Sequence, residues 1–112
     1  MPTVGIDLVD IGRVRQARYF ERVSEYILRP SEIALMRTSR DRFQYLASRL
    51  AAKEAVVKAF PATIGLQDIE VLGFGVKPSV RVLHVEALNY TIDISLTHTN
   101  DLAIGAAIVC HA

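Results

Sequence analysis

Apolar residues occupy every second position of residues 3–9, which predicts a β-strand near the start of the chain. Asp7 lies inside this strand, although aspartate is depleted in strands, and this favours a functional role for its carboxylate. Asp10 follows the strand and is better explained as the N-cap of a helix that begins near Ile11.

The pattern then changes to the spacing of helices. Apolar residues three or four positions apart predict short helices between residues 11 and 36, with a break and a new start at Pro30. Thr38, followed three residues later by Asp41, resembles a weak capping box. It predicts the start of a longer helix over residues 43–60, which ends at the next proline.

Glu54 is out of place in this longer helix. At about 100° per residue it falls in the middle of the apolar face, and Lys58 lies one turn further on, toward the edge of that face. The apolar face is formed by Phe43, Leu46, Ala47, Leu50 and Val57. A buried carboxylate needs a cation, a metal or a raised pKa. An ion pair with Lys58 and a functional site at a cleft both meet this requirement.

In the second half of the chain the apolar period becomes two. Strands are predicted over residues 69–71, 80–82, 91–96 and 102–109. Gly73, Gly75 and Pro78 separate the first two strands. The loop of residues 97–101 predicts a hairpin between the last two strands, with His98 at the rim of a sheet.

This order of elements is typical of an α+β fold, in which an N-terminal strand and helices are followed by an antiparallel sheet. The chain has 112 residues, of which 51% are hydrophobic and 22% charged, so it can form a core of its own. There are no repeats, low-complexity tracts or linkers. We therefore expect a single domain over residues 1–112.

Targeting signals are not apparent. The first residues lack the pattern of a signal peptide, and the longest apolar run, residues 103–110, is too short to span a bilayer. One cysteine, Cys110, fits a reducing compartment. We expect a cytoplasmic protein that does not enter a membrane.

Charge is unevenly distributed along the chain, although the net charge is +1. Residues 1–60 contain eleven Lys or Arg against seven Asp or Glu, and residues 61–112 contain two against five. The early basic residues include Arg13, Arg15, Arg18 and Arg22. The last three have helical spacing and are predicted to form one basic stripe, either a solvated face or a docking surface for an acidic partner. A nucleic-acid partner is disfavoured by the near-neutral charge and by the absence of a recognised motif.

Asp7, Glu54 and Lys58 suit phosphate chemistry. Two carboxylates from separate elements fit Mg²⁺, which keeps water ligands and completes its coordination with phosphate oxygens, whereas Zn²⁺ usually takes Cys or several His. A lysine one turn from such a glutamate can contact the same phosphates.

In their order along the chain, these segments resemble the holo-acyl-carrier-protein synthases, the small group of the 4'-phosphopantetheinyl transferase superfamily. Residues 5–11 (GIDLVDI) match the family's opening strand, and residues 49–59 (RLAAKEAVVKA) match its central helix. Later family motifs are matched by residues 68–71 (DIEV), 77–78 (KP) and 95–98 (SLTH). The resemblance covers nearly the whole chain.

The resemblance implies a transferase that moves 4'-phosphopantetheine from coenzyme A to a serine of apo acyl carrier protein and releases 3',5'-adenosine bisphosphate. Asp7, Glu54 and Lys58 would form the catalytic group, with Asp7 and Glu54 holding Mg²⁺ and Lys58 contacting phosphate. Thr97 and His98 would lie at the coenzyme A site. Acyl carrier protein would dock on the four arginines, and the resemblance also implies a homotrimer with active sites between subunits.

Alternatives stay open at this point. Glu54, Asp10 and a water molecule on the metal are all candidates for accepting the serine proton. The segment of residues 79–94 is shorter than in typical family members, with room for only about two helical turns before the last hairpin. This permits a non-catalytic module that binds coenzyme A or carrier protein. A different Mg²⁺-dependent phosphate enzyme has less support, because the chain has no Walker A loop and no GxGxxG motif.

Overall fold

The computed structural model describes residues 1–73 and 77–112. Its strands are β1 (Thr3–Asp10), β2 (Ile69–Leu72), β3 (Ser79–Val82), β4 (Tyr90–His98) and β5 (Leu102–His111). Its α-helices are α1 (Ile11–Arg15), α2 (Phe20–Ile27), α3 (Pro30–Thr38) and α4 (Arg42–Ala59). Short 3-10 segments span Leu66–Asp68 and Val85–Asn89. Gly75, which was expected to help separate β2 from β3, lies outside the described residues.

β5 is the central strand of a three-stranded antiparallel sheet with the order β1-β5-β4. Asp7 pairs with Gly105 from one side and Leu96 pairs with it from the other, so β1 and β4 lie two strand spacings apart, about 10 Å. β2 and β3 form a separate antiparallel pair. The α+β prediction and the hairpin between β4 and β5 are confirmed.

α4 crosses one face of the three-stranded sheet at very short range. It presents small buried side chains there, namely Ala47, Ala51, Ala52, Ala55 and Ala59. A Cβ atom placed on Gly5 would overlap the backbone carbonyl of Ala55, and one on Gly105 would lie 2.6 Å from the carbonyl oxygen of Ala51. Glycine is therefore required at both positions for the helix to reach the sheet.

The opposite face of the sheet is open in the single chain. Val4, Ile6 and Leu8 point away from α4 and keep 61%, 60% and 55% of their surface exposed, and Ile108 on β5 keeps 45%. Their side chains adjoin because Val4 pairs with Ile108 and Ile6 with Ala106. The sheet therefore presents a contiguous apolar surface, called the open sheet face below.

The remaining core lies between α4 and the shorter helices. Phe20, Ile27, Leu28, Met36 and Leu46 are buried together there. Asp10 accepts a hydrogen bond from the backbone N–H of Arg13 at 3.3 Å, which confirms that it caps α1. None of the helices within residues 1–73 and 77–112 combines the length and apolar character needed to cross a bilayer.

Asp41, and not Thr38, caps α4. Asp41 Oδ1 accepts hydrogen bonds from the backbone N–H groups of Phe43 and Gln44, at 3.1 and 3.2 Å, whereas the Thr38 hydroxyl donates to the Leu35 carbonyl at 3.0 Å. The predicted capping box is wrong because α3 continues through Thr38, so its side chain belongs to the preceding helix.

Candidate active site

Asp7 and Lys58 meet on the β1 side of α4. Asp7 points toward the helix because alternate residues of β1 do so, and 20% of its side chain is exposed. The Lys58 ammonium donates to Asp7 Oδ1 at 3.0 Å and to the Ile6 carbonyl oxygen at 2.8 Å. Lys58 is thus bound to the strand, and the position of Glu54 is not explained by an ion pair with Lys58.

Glu54 lies one turn before Lys58 and is half-buried. It sits at the margin of the buried helix surface, not in its middle, because α4 buries its alanines deepest and leaves Leu50 and Val57 half-buried. Glu54 lines a cavity of about 590 Å³ with Glu25, Tyr26, Val57, Ile64, Gly65, Leu66 and Gln67. This space is called the Glu54 cavity below.

The carboxylates of Asp7 and Glu54 form a donor set that fits Mg²⁺. They come from two elements: Asp7 is bound by the half-exposed Lys58 ammonium, and Glu54 lies one helical turn before Lys58 on α4. Two carboxylates leave most of a Mg²⁺ coordination shell for water and phosphate oxygens. Among residues 1–73 and 77–112, no group of three or more His, Cys, Asp or Glu side chains is placed to hold a metal.

Lys53 is fully buried directly beside Glu54 in sequence, and the sequence-based reasoning gave it no role. Its ammonium donates to Glu32 Oε1 at 2.6 Å and to the carbonyl oxygens of Ile27 and Leu66 at 2.8 and 3.2 Å. Burial lowers the pKa of Lys53, while the Glu32 carboxylate acts in the opposite direction. The sequence did contain an indication that one of these charges is buried, because the charged residues at positions 53, 54 and 58 cannot all lie on one solvated face of a helix.

Glu32 is buried as completely as Lys53. Its Oε1 also accepts from the backbone N–H of Arg29 at 2.7 Å, and its Oε2 accepts from that of Val71 at 2.9 Å. The pair is therefore hydrogen-bonded on both sides, which is what a buried ion pair requires. It joins α3, α4 and β2.

His98 lies at the exposed end of β4 and lines a different cavity, of about 460 Å³. The walls of this cavity, called the His98 cavity below, include Arg40, Gln44, Tyr45, Ser48, Arg49, Pro78 and Leu96. It lies on the β4 side of α4, so within the described residues of one chain it is separate from Asp7, Glu54 and Lys58. Thr97 points to the opposite face of β4 and does not line the His98 cavity.

Arg49 is a functional candidate that was missed at the sequence level. It is 8% exposed, its Nη2 donates to the Gly73 carbonyl at 3.0 Å, and its guanidinium lies 4.4 Å from the centre of the Tyr45 ring. Its Nε is buried with no hydrogen-bond partner in the part of the chain that the structure describes. Burial raises the pKa of the adjacent Tyr45 phenol. Arg40 and His98 lie on the same walls as the Asp41 carboxylate, which is paired with Arg15, so the donors of Arg40 and His98 are the groups of the His98 cavity that could bind an anion such as a phosphate. The sequence feature that could have indicated Arg49 is its place as the first residue of the central-helix motif.

The four early arginines are exposed, but the prediction that three of them form one helical stripe is wrong. α1 ends at Arg15 and α2 begins at Phe20, so residues 16–19 interrupt the helix. Arg15 is paired with Asp41 through both terminal guanidinium nitrogens. The hydrogen bond from Arg15 lowers the pKa of Asp41.

Arg18 and Arg22 lie close together because both approach the exposed ring of Tyr19. Their guanidinium carbons are 5.7 and 5.8 Å from the ring centre. Arg13 is exposed in the last turn of α1. The basic surface is therefore built from two helices and the turn between them.

Comparison with known proteins identifies the family. The model of the 4'-phosphopantetheinyl transferase superfamily matches residues 3–107. A holo-acyl-carrier-protein synthase of Nitratidesulfovibrio vulgaris is 38% identical, over 95% of this chain and 95% of its own length. The chain belongs to the holo-acyl-carrier-protein synthases.

Solved structures of these synthases share the fold. The enzyme of Neisseria meningitidis superposes with a TM-score of 0.86, covering 96% of this chain and 97% of its own, at 21% identity. That of Helicobacter pylori, solved in complex with coenzyme A, is 28% identical, with a TM-score of 0.79 and coverage of 97% and 99%. Within this family fold, Asp7 is bound to Lys58 on the β1 side of α4, Glu54 lies one helical turn before Lys58, and His98 and Arg49 line a cavity on the β4 side.

Proposed function

We propose that residues 1–112 act as one transferase domain, which moves 4'-phosphopantetheine from coenzyme A to a serine of apo acyl carrier protein with the help of Mg²⁺. The observation that carries this proposal is the contact between Asp7 and Lys58, which are 51 residues apart in sequence, beside Glu54. These residues come from the two most distinctive family motifs. The coenzyme A complex of the Helicobacter pylori relative supports coenzyme A as the donor.

Asp7 and Glu54 bind the metal through their carboxylates in this proposal. When bound, Mg²⁺ neutralises negative charge on the coenzyme A pyrophosphate and helps to orient it for in-line attack. Lys58, which is half-exposed, exchanges its hydrogen bond with Asp7 for one with the transferring phosphate and stabilises the charge that develops there. Positioning of the two reactants supplies most of the remaining acceleration.

The His98 cavity binds the nucleotide end of coenzyme A. Among residues 1–73 and 77–112, Arg49 Nε has no hydrogen-bond partner. Arg40 and His98 add further donors on the same walls, and the Asp41 carboxylate there is paired with Arg15. A phosphate on the ribose would pair with the donors of Arg40 and His98. Thr97, on the other face of β4, contacts coenzyme A only from a neighbouring copy.

In this proposal three copies assemble through the open sheet face into the homotrimer that the family resemblance implies. An exposed apolar surface of this kind marks an interaction site, and a rotational arrangement of copies uses the same surface in each. In a single chain the metal carboxylates and the His98 cavity lie on opposite sides of α4. Assembly would place the His98 cavity of one copy against Asp7 and Glu54 of the next, completing the site.

The experiment that tests the function is direct. The protein is incubated with apo acyl carrier protein, coenzyme A and Mg²⁺, and the intact mass of the carrier is measured. We expect a gain of one phosphopantetheine that is lost when the metal is chelated. Unmodified carrier, with folded protein and carriers from several biosynthetic systems, would reject the proposal.

The second candidate is a non-catalytic module that binds coenzyme A or carrier protein. It is favoured by the short 3-10 segment Val85–Asn89, where typical relatives were expected to carry a full helix. Binding of coenzyme A by calorimetry without any mass gain of the carrier would select this alternative.

A further inference from the structure

The carbonyl groups at the end of α2 are bound by two side chains from other elements. The last carbonyls of an α-helix have no partner within the helix. Gln67 Nε2 donates to the carbonyl oxygens of Glu25, Tyr26 and Leu28, at 3.0, 3.2 and 2.7 Å. Lys53 Nζ donates to the remaining one, of Ile27, at 2.8 Å. Together these two side chains form what is called the carbonyl clamp below.

The carbonyl clamp ties the end of α2 to α4 and to the 3-10 segment Leu66–Asp68. Lys53 is adjacent to Glu54 on α4, and its ammonium also reaches the Leu66 carbonyl at 3.2 Å. Gln67 is held in turn, because its own carbonyl accepts from Arg29 Nη1 at 2.6 Å. The clamp therefore fixes α2 relative to the residue proposed to bind the metal.

α2 connects the basic surface of Arg13, Arg15, Arg18 and Arg22, on which acyl carrier protein is expected to dock, with the Glu54 cavity. Arg22 lies on α2, and Arg18 lies in the turn before it. Glu25 and Tyr26, in the last turn of α2, line the Glu54 cavity. A small rotation of α2 would therefore move the docked carrier relative to Glu54.

We propose that Lys53 and Gln67 are positioning residues, which hold α2 at the angle that brings the serine of a docked carrier to the proposed site at Glu54 and Lys58. This inference rests on the proposed transferase function. Neither side chain needs to touch the substrates, since each acts through the backbone of α2. A displacement of about 1 Å is enough to cost a reaction of this kind about a hundredfold in rate.

Gln67 offers the cleaner test because it is exposed, whereas Lys53 is buried. Gln67→Leu removes the donors, Gln67→Glu replaces them with acceptors of similar shape, and Gln67→Lys restores donors to the same carbonyls. We expect kcat/KM for the carrier to fall about tenfold to a hundredfold in the first two variants and to stay near the wild-type value in Gln67→Lys. The KM for coenzyme A should not change in any of them.

Asn89→Leu is the matched control, since it also converts an exposed amide into leucine, in the segment before β4. Its kinetics should equal those of the wild type. If Gln67→Leu lowers kcat only in proportion to the folded fraction, with the KM for the carrier and the KM for coenzyme A both unchanged, the clamp is only structural and the inference is overturned.

Lys53 is tested together with its partner, because Lys53→Met alone leaves the Glu32 carboxylate buried and unpaired. The double variant Lys53→Met, Glu32→Gln should show the same carrier-specific loss as Gln67→Leu when its circular dichroism spectrum is native. A native spectrum with wild-type kinetics would overturn the role of Lys53. If this variant does not fold, the Gln67 series decides the matter.

Hydrogen exchange separates the failure of this inference from the failure of the proposed function. Backbone amides of residues 20–28 should exchange faster in Gln67→Leu than in the wild type, whether or not transfer is observed. Equal exchange rates would show that the clamp does not hold α2. If the wild type transfers nothing and exchange still differs, the proposed function fails while the clamp stands.

Discussion

The contact between Lys58 and Asp7 is poorly explained by stability. Lys58 is 52% exposed and Asp7 20% exposed, and ion pairs of this type contribute roughly 0–1 kcal/mol. Aspartate is also a poor strand residue. Since the carboxylate and the ammonium gain so little from each other, either can exchange its partner for the ion or the phosphate of the proposed reaction at small cost. The Lys53–Glu32 pair is the opposite case, because both side chains are fully buried and neither can be removed without stranding the other.

Glu54→Gln should reduce carrier modification by at least about a hundredfold, because the amide keeps the shape of the side chain but loses the charge that is proposed to bind Mg²⁺. The fold should survive, since Glu54 is only half-buried. Initial rates from intact-mass measurements, with circular dichroism as a check on folding, test this. Glu86→Gln, at an exposed position, serves as the control. Wild-type activity of Glu54→Gln would remove Glu54 from the site.

Glu70 should make stability depend on pH through the surroundings of its carboxylate. Ser31 Oγ donates to Glu70 Oε2 and Arg81 Nη2 donates to Oε1, each at 2.5 Å. The Ser31 hydrogen bond is the main cause that lowers the pKa of Glu70, with Arg81 acting in the same direction. A lowered folded-state pKa gives stability that is present above the unfolded-state value of about 4.3 and is lost as the pH falls through the folded-state pKa.

We therefore expect Ser31→Ala to flatten the dependence of the free energy of unfolding on pH between about 5 and 3. Urea titrations at several pH values in this range measure the free energy of unfolding. Ser79→Ala, at an exposed position of β3, is the control. An unchanged slope in Ser31→Ala would mean that this hydrogen bond does not set the pKa of Glu70.

Residue-scale prediction from sequence worked for the cap of α1, where the signal was local, since Asp10 caps that helix. Asp7 stands out because aspartate is a poor strand residue, and its carboxylate is bound by Lys58. Glu54 was expected in the middle of an apolar face, but it lies at the margin of the buried surface of α4. The Lys53–Glu32 pair was missed, because two charges far apart in the chain become partners only once α3 has packed against α4. Arg49 was missed for a similar reason, since its burial depends on Gly73 and Tyr45.

At the scale of elements, α4 organises the molecule through its close approach to the sheet. Its buried alanines remove the side-chain layer that normally separates a helix from a strand. Glycines on β1 and β5 remove the layer on the other side. As a result Asp7 and Lys58 can meet directly, because the backbones of β1 and α4 are drawn together.

Gly105→Ala should therefore destabilise the protein by about 3 kcal/mol, because the new Cβ would lie 2.6 Å from backbone atoms of Ala51 that cannot move independently. Thermal and urea unfolding measure the loss. Gly65→Ala is the matched control, since its Cβ would be 3.6 Å from Asp68 Oδ2, an ordinary contact. Equal stability of Gly105→Ala and the wild type would contradict the close approach.

Most elements followed from the sequence because their periodicity is strong. The long helix, the first strand and the final hairpin were predicted close to their observed bounds. The predicted cap at Thr38 failed because the helix before it runs further than its apolar pattern indicated. The prediction of one basic stripe was wrong because arginine spacing alone does not show that the helix ends at Arg15.

At the scale of the whole molecule, the two faces of the sheet differ in what covers them. Alternation in β1 showed correctly which residues share a face, but it could not show which face would meet the helix. The apolar side chains of Val4, Ile6 and Leu8 were left outside because α4 needs Gly5 beneath it. This leaves the open sheet face for another partner.

Ile6→Asp should disrupt the proposed homotrimer, because it places a charge in the middle of the open sheet face. Light scattering coupled to gel filtration should give about three chain masses for the wild type and one for the variant. Leu88→Asp, at an 86% exposed position outside the sheet, should leave the assembly intact. A monomeric wild type would rule out the trimer at the concentration used.

β1 serves two surfaces at alternate residues, with Asp7 facing the site and Ile6 facing the proposed interface. The Lys58 ammonium contacts β1 at both residues, since it binds the side chain of Asp7 and the backbone carbonyl of Ile6. Dissociation of copies would therefore disturb the proposed metal site through one peptide unit. Specific activity should then fall when the enzyme is diluted below the range in which copies associate, and a partly dissociated variant should regain activity at high enzyme concentration.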